Sequence, residues 1–170
     1  MLVLGHVGVT LGVFLLIGLF VPGIRSHIRY RYLALGALLP DIIDKPLGHL
    51  ILADTLANGR IIGHTLFFSL VIIIAGLYIF RKKSDSKILM LGAGSFFHLL
   101  EDRMWVQPVT FFWPIFGLQF PRGAVERSGL NYFLTVFNNI FDPDFSYAFI
   151  SDIIGLIVLI VLAILYLKKK

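Results

Sequence analysis

The sequence predicts an all-α, multi-pass transmembrane helical bundle of about five spans, a single integral membrane domain over residues 1–170 with an aromatic loop region at its outer face. Three observations predict it. The chain is 58% hydrophobic and only 15% charged, with a mean hydropathy of +0.88, whereas soluble domains are nearer half apolar and a quarter charged. Apolar runs recur at lengths that suit a helix of roughly 20 residues crossing a bilayer. The basic residues gather in clusters between those runs. There are no cysteines, which excludes disulfides and thiolate metal sites.

The spans follow in order. Leu2–Pro22 is the first. It lacks a basic n-region and its charges, Arg25, Arg29 and Arg31, come after it, so it reads as an uncleaved span rather than a signal peptide. Tyr30–Leu39 is a shorter apolar run that Pro40 is expected to stop; it can still cross if its polar end is buried in protein. Gly63–Phe80, Ile88–Trp105 and Ala148–Leu167 complete the set.

Orientation follows from charge. Cytoplasmic loops of membrane proteins are enriched in Lys and Arg. With Arg25–Arg31 inside, alternation places Arg81–Lys87 and Lys168–Lys170 inside as well, and Asp41–Gly63 and Arg103–Tyr147 outside. The inside segments then hold ten of the 15 basic residues, while Asp85 alone of the ten acidic residues is inside. Omitting the short span would split the basic clusters across the membrane. The expected location is therefore the cell membrane, with the N-terminus outside and the C-terminus cytoplasmic. The overall charge of +5 is accounted for by this asymmetry, and no nucleic-acid partner is expected; membrane lipids are. The Arg103–Tyr147 loop carries Trp105, Phe111, Phe112, Trp113, Phe116 and Phe120 in its first half. Aromatics at that density favour the headgroup region, which places the segment along the outer interface.

Ionisable residues near apolar spans point to function by default. His6 lies in the first turns of the first span, Asp41 and Asp44 follow the short span, His64 opens the third, and His98 and Asp102 lie near the end of the fourth. His98 and Asp102 are four residues apart and Asp41 and Asp44 three apart, spacings that present both members on one helical face. All six fall at the outer ends of their spans in an orientation derived from Lys and Arg alone. His98 is 11 residues past Lys87, roughly 16 Å along a helix, which recesses the cluster into the outer leaflet. Each feature has a plainer reading. One His at a helix end is usually a satisfied polar group, the His98–Asp102 pair can lock two helices, and Leu39-Pro40-Asp41 can be a helix stop. His27 and His49 are read as structural or solvated.

Gly5-His6, Gly36-Ala37-Leu38-Leu39-Pro40-Asp41-Ile42-Ile43-Asp44, Gly59-Arg60-Ile61-Ile62-Gly63-His64-Thr65 and His98-Leu99-Leu100-Glu101-Asp102 resemble, in that order, motifs of the predicted membrane-bound metal-dependent hydrolases, also called LexA-binding, inner-membrane-associated hydrolases. The resemblance covers residues 1 to about 121. It implies a distant similarity to zinc-dependent phospholipase C and hence phosphate-ester chemistry. Two positions depart from it: Gly59 stands where the family often has His, and Asp41-Ile42-Ile43-Asp44-Lys45 has one residue more than the family's Asp-Ile-Asp-His and lacks its His.

The function expected from residues and resemblance together is a metal-dependent hydrolase at the extracytoplasmic face, acting on a phosphate ester such as a lipid or lipid-linked substrate. His6, Asp41, His64, His98 and Asp102 are the candidate metal ligands. Mixed imidazole and carboxylate donors suit Zn2+, with Mn2+ or Fe2+ as alternatives. Asp44 and Glu101 are the candidate catalytic bases, and Arg60 and Arg103 the candidate holders of an anionic group; headgroup-facing snorkelling is the plainer reading of the two arginines. The alternative is a non-catalytic membrane scaffold or transporter-like protein with a structural polar cluster. Transport is the weaker form of it, because the inner half of each span is nearly free of ionisable groups.

Overall fold

In a computed structural model the described residues are 3–123, 134–135, 137–138 and 147–167, the side chains of 147, 148, 165 and 166 excepted. Regular structure among them is wholly helical. The helices are α1 (Val3–Phe20), α2 (Pro22–Arg25), α3 (Tyr30–Pro46), α4 (Leu66–Lys83), α5 (Lys87–Glu101), α6 (Pro108–Phe111) and α7 (Tyr147–Leu167). A π-helical turn, Leu47–Ile51, continues α3, and a single 3-10 turn, Met104–Val106, follows α5.

Most of the expected segments are present with altered ends. The short run does not stop at Pro40: α3 continues to Pro46 with Pro40 and Pro46 inside it. The proline leaves the Gly36 carbonyl without its usual donor, yet the helix is held by its neighbours, as Gly36 and Ala37 are buried against α5. The continuation puts Asp41, Asp44 and Lys45 on the helix itself. The Gly63–Phe80 segment starts its helix later, at Leu66, because Thr65 is the N-cap and its hydroxyl accepts the Phe68 N–H at 3.0 Å. His64 therefore lies in the turn before the helix rather than on it.

One helix of the described residues, α1, is long and apolar enough to cross a membrane on those criteria; within α7 a shorter apolar stretch, Phe149–Ile164, comes closest. The others fall short for visible reasons. α3 carries Asp41, Asp44 and Lys45, α4 ends in Arg81, Lys82 and Lys83, and α5 has 15 residues.

The helices pack in the spatial order α7, α1, α3, α5, α4. Small residues set how closely they approach. A Cβ at Gly8 would collide with the backbone of Gly155 on α7, and one at Gly36 with the backbone of Leu91 and Gly94 on α5. Small contacts of this kind are how helices associate without a hydrophobic drive between them. Leu11, Phe14, Ile28, Leu33 and Met90 form the buried apolar cluster toward one end. At that end Ser86 Oγ donates to the His27 carbonyl and ties the α2–α3 turn to the α4–α5 turn. At the opposite end Leu99, Met104 and Phe111 form a second cluster, flanked by Leu66 and Phe112. Part of the aromatic segment is thus core. Trp105, Ile115, Phe116 and Leu118 remain exposed. The rest of the expected outer loop, from residue 124 to the start of α7, lies outside the described residues apart from 134–135 and 137–138, as does the Lys168–Lys170 tail.

Candidate metal centre

α1 and α4 begin, and α3 and α5 end, at the same pole of the bundle. His6 comes from the second turn of α1, Asp41 and Asp44 from the last turns of α3, His64 from the turn before α4, and His98, Glu101 and Asp102 from the end of α5. Four segments far apart in sequence meet there. His6, His64, His98 and Asp44 are at most 1% exposed.

The three imidazoles are built alike. Each turns Nδ1 outward to an acceptor: His6 to Glu101 Oε2 at 2.7 Å, His64 to Asp44 Oδ2 at 2.8 Å, and His98 to the Ala37 carbonyl at 2.7 Å. A carboxylate or carbonyl acceptor assigns the hydrogen to Nδ1, which leaves the Nε2 lone pairs facing inward. Two of them, on His64 and His98, face each other at 3.2 Å. The rings of His6 and His98 stack with centroids 3.9 Å apart. His6 Nε2 is buried, and the carboxylate within reach of it is that of Asp102.

Two carboxylates close the space. Asp102 Oδ1 is 3.3 Å from His6 Nε2, and Asp102 Oδ2 is 3.9 Å from His64 Nε2. Asp41 Oδ1 is 3.6 Å from His64 Nε2 and 3.8 Å from His98 Nε2. His6, His98 and Asp102 form one group able to hold a metal ion and Asp41, His64 and His98 another. Zinc–ligand bonds of about 2.0–2.2 Å imply ligand-to-ligand edges of roughly 3.3–3.6 Å in a tetrahedron. The donor distances lie at or near that range, so these residues fit a metal.

Asp44 and Glu101, expected as catalytic bases, sit behind the histidines. Asp44 accepts the backbone N–H groups of Ile61, Gly63 and His64 at 2.8, 2.9 and 3.0 Å as well as the His64 ring. It thereby shapes the turn that carries His64. Glu101 accepts the Thr10 hydroxyl at 2.8 Å on its other oxygen. These contacts fix the orientation of the His64 and His6 rings. Of the two expected anion holders, Arg60 is at the centre, donating to Asp102 Oδ2 at 2.8 Å. Arg103 lies between α5 and the following 3-10 turn, in the left-handed conformation with its side chain exposed.

Four further residues, not among the candidates legible in the sequence, touch the centre. Lys45 donates to Asp41 Oδ2 at 2.5 Å. Thr10 and Ala37 hold Glu101 and His98, and Asp152 on α7 accepts the Gly5 N–H of the first turn of α1 at 2.8 Å. The spacing Asp41 to Lys45, four residues on one helix, was the available signal for the first; the others depend on contacts between distant segments. His49, expected to be structural or solvated, is buried beside Gly59, where a Cβ would come within 2.6 Å of its Nε2. Burial, then the Lys45 charge, lowers its pKa and keeps the ring neutral. His27 is at the opposite pole, partly exposed, beside Ser26 Oγ at 3.0 Å.

No curated protein and no solved structure matches the chain. The family model described as YdjM inner membrane protein matches residues 1–170, and the chain belongs to that inner-membrane protein family.

Proposed function

We propose that the protein is a membrane-bound hydrolase dependent on one divalent metal ion, first of all Zn2+, with its site at the extracytoplasmic pole of the bundle. The observation that carries this is the 3.2 Å approach of the His64 and His98 Nε2 atoms. Both rings have their Nδ1 hydrogens committed elsewhere, and lone pairs so placed repel unless a cation lies between them. The proposed ligands are His6, His64 and His98 through Nε2, with Asp41 and Asp102. The two possible triads share His98, whose single inward lone pair serves one ion, so the stoichiometry is one metal per chain.

A bound ion of this class lowers the pKa of its water and supplies hydroxide near neutral pH. The chain's own residues do the rest. Glu101, Asp44 and the Ala37 carbonyl fix the three rings. Asp41 and Asp102 balance charge. A phosphate ester on a lipid or lipid-linked molecule suits the site, because the exposed Trp105, Phe116 and Leu118 lie on the segment packed against α4 and α5 at the same pole. The opposite pole carries Arg25, Arg29, Arg31, Arg81, Lys82, Lys83 and Lys87, which supports five crossings with that pole cytoplasmic.

Metal analysis of purified protein, followed by a screen of phosphoester and amide substrates, tests the reading. One equivalent of zinc and metal-dependent phosphoester hydrolysis are expected. A scaffold, in which a proton bridges His64 and His98, would hold no stoichiometric ion. For the orientation, cysteines placed at Thr55 and Ser84 should label from opposite sides of the membrane; labelling from one side would overturn it.

A further inference from the structure

The two acidic ligands are built alike in a respect that a metal site does not require. Asp41 turns Oδ1 to the histidines and Oδ2 to Lys45. Asp102 turns Oδ1 to His6 and Oδ2 to Arg60, and that second oxygen also lies 3.9 Å from His64 Nε2. Lys45 and Arg60 differ from everything else at the centre in one way: their side chains are 30% and 37% exposed, against 11% or less for the groups they hold. They are the charged groups through which the buried centre meets its surroundings, and both are positive. They also come from one place. The Lys45 stem runs beside Gly59, within 3.5 Å of where a Cβ would stand, and Arg60 is the next residue. Asn58 Oδ1 accepts the Arg60 N–H at 3.0 Å and its amide donates to the Pro121 carbonyl at 2.8 Å, which pins this turn beneath the aromatic segment.

We propose that Lys45 and Arg60 form an anion clamp at the mouth of the centre, selecting substrates that bring a phosphate-type group to the metal. This rests on the metal-site reading. With an ion present, Asp41 and Asp102 share their charge with it, and their hold on the two cations weakens. Lys45 and Arg60 can then turn donors to an incoming anion without leaving their positions, Arg60 through its planar fork and Lys45 as a point charge. A neutral ester or amide would gain nothing from them. Without the ion the same two cations close over the carboxylates.

Zinc-loaded full-length protein in detergent is titrated with inorganic phosphate by calorimetry, for wild type, Lys45→Gln and Arg60→Gln, with Lys45→Arg and Arg60→Lys as conservative partners. Zinc content and thermal unfolding are followed on the same samples. Phosphate binding is expected to weaken at least roughly ten-fold in each Gln variant, the size of a lost charge-assisted hydrogen bond, with zinc retained and binding partly restored in the conservative variants. Unchanged phosphate affinity in zinc-saturated Gln variants would overturn the clamp and leave the two residues as positioners of Asp41 and Asp102. Failure of wild type to bind stoichiometric zinc would instead overturn the metal reading, and the clamp with it. A second arm compares micelles containing phosphatidic acid with phosphatidylcholine micelles. Tighter binding of phosphatidic acid than of inorganic phosphate identifies a lipid-linked source, and equal binding a soluble one. Equal binding of both micelles, lost in neither Gln variant, would count against the clamp.

Discussion

The two poles of the bundle treat the same side chains in opposite ways. At the basic pole His27 is partly exposed and its ring nitrogen meets only its neighbour's hydroxyl, that of Ser26. Arg29, Arg31, Lys82 and Lys83 surround that pole, and Lys82 leans over the ring of Tyr78. At the other pole three histidines are buried, each is oriented by a partner from a different helix or turn, and four carboxyl groups share the space. The residues at the basic pole meet mostly near neighbours in the sequence and are largely exposed. Those at the other pole satisfy one another, and still leave inward-facing lone pairs. What sets the three histidines apart from His27 is burial together with a partner from another segment of the chain, which fixes the ring and turns its second nitrogen toward the other rings.

That contrast can be broken most sharply by removing ligands. His98→Ala and Asp102→Ala should each take bound metal from stoichiometric to trace and abolish hydrolysis, while folding survives because the apolar helices carry it. His27→Ala should leave both untouched. If the pair only locks helices, the cost should be about 0.6 kcal/mol and metal content should not change. Metal analysis beside thermal unfolding in detergent separates these outcomes.

A smaller effect is expected from the orienting groups. Asp44→Asn and Glu101→Gln should weaken metal affinity by about 10–100-fold, measured by competition with a chelating dye. Asp44→Asn should be the more damaging, since that carboxylate also organises the Ile61, Gly63 and His64 amides. Equal affinity in both variants and wild type would mean that the rings do not need their partners.

About one turn from the histidine pole, Ser69 and Ser95 share a buried hydrogen bond of 2.9 Å between α4 and α5. Ser95→Ala should cost about 0.6 kcal/mol in thermal stability and leave metal content alone. Loss of metal would show that the α4–α5 seam is coupled to the centre. The smallest effect belongs to the basic pole. Asp85 accepts the Lys87 N–H at 3.0 Å, and this bond, ahead of the Lys87 charge, lowers its pKa below the model-compound value of 3.8. A lowered carboxyl contributes stability above its unfolded value and loses it as pH falls. Asp85→Asn should therefore lower the melting temperature slightly at neutral pH, with the difference from wild type vanishing in acid.

Composition, the lengths of the apolar runs and the placement of Lys and Arg were enough to predict helices near their observed positions, and to put His6, Asp41, Asp44, His64, His98 and Asp102 at one pole. These depend on local periodicity and on which side chains tolerate apolar surroundings, both of which are properties of short stretches of chain. The end of α3 was not legible, because a proline's preference to stop a helix was outweighed by packing of Gly36 and Ala37 on α5. The roles within the cluster were not legible either. Whether a carboxylate faces the inward imidazole nitrogens, as Asp41 and Asp102 do, or stands behind a ring, as Asp44 and Glu101 do, depends on helix rotations and on where Thr10, Ala37 and the Ile61–His64 amides come to rest. Those contacts join residues far apart in the chain, 91 positions apart for Thr10 and Glu101 and 61 for Ala37 and His98. The sequence by itself determined which residues share a pole; close approach of the helices at small residues decided which atoms face one another.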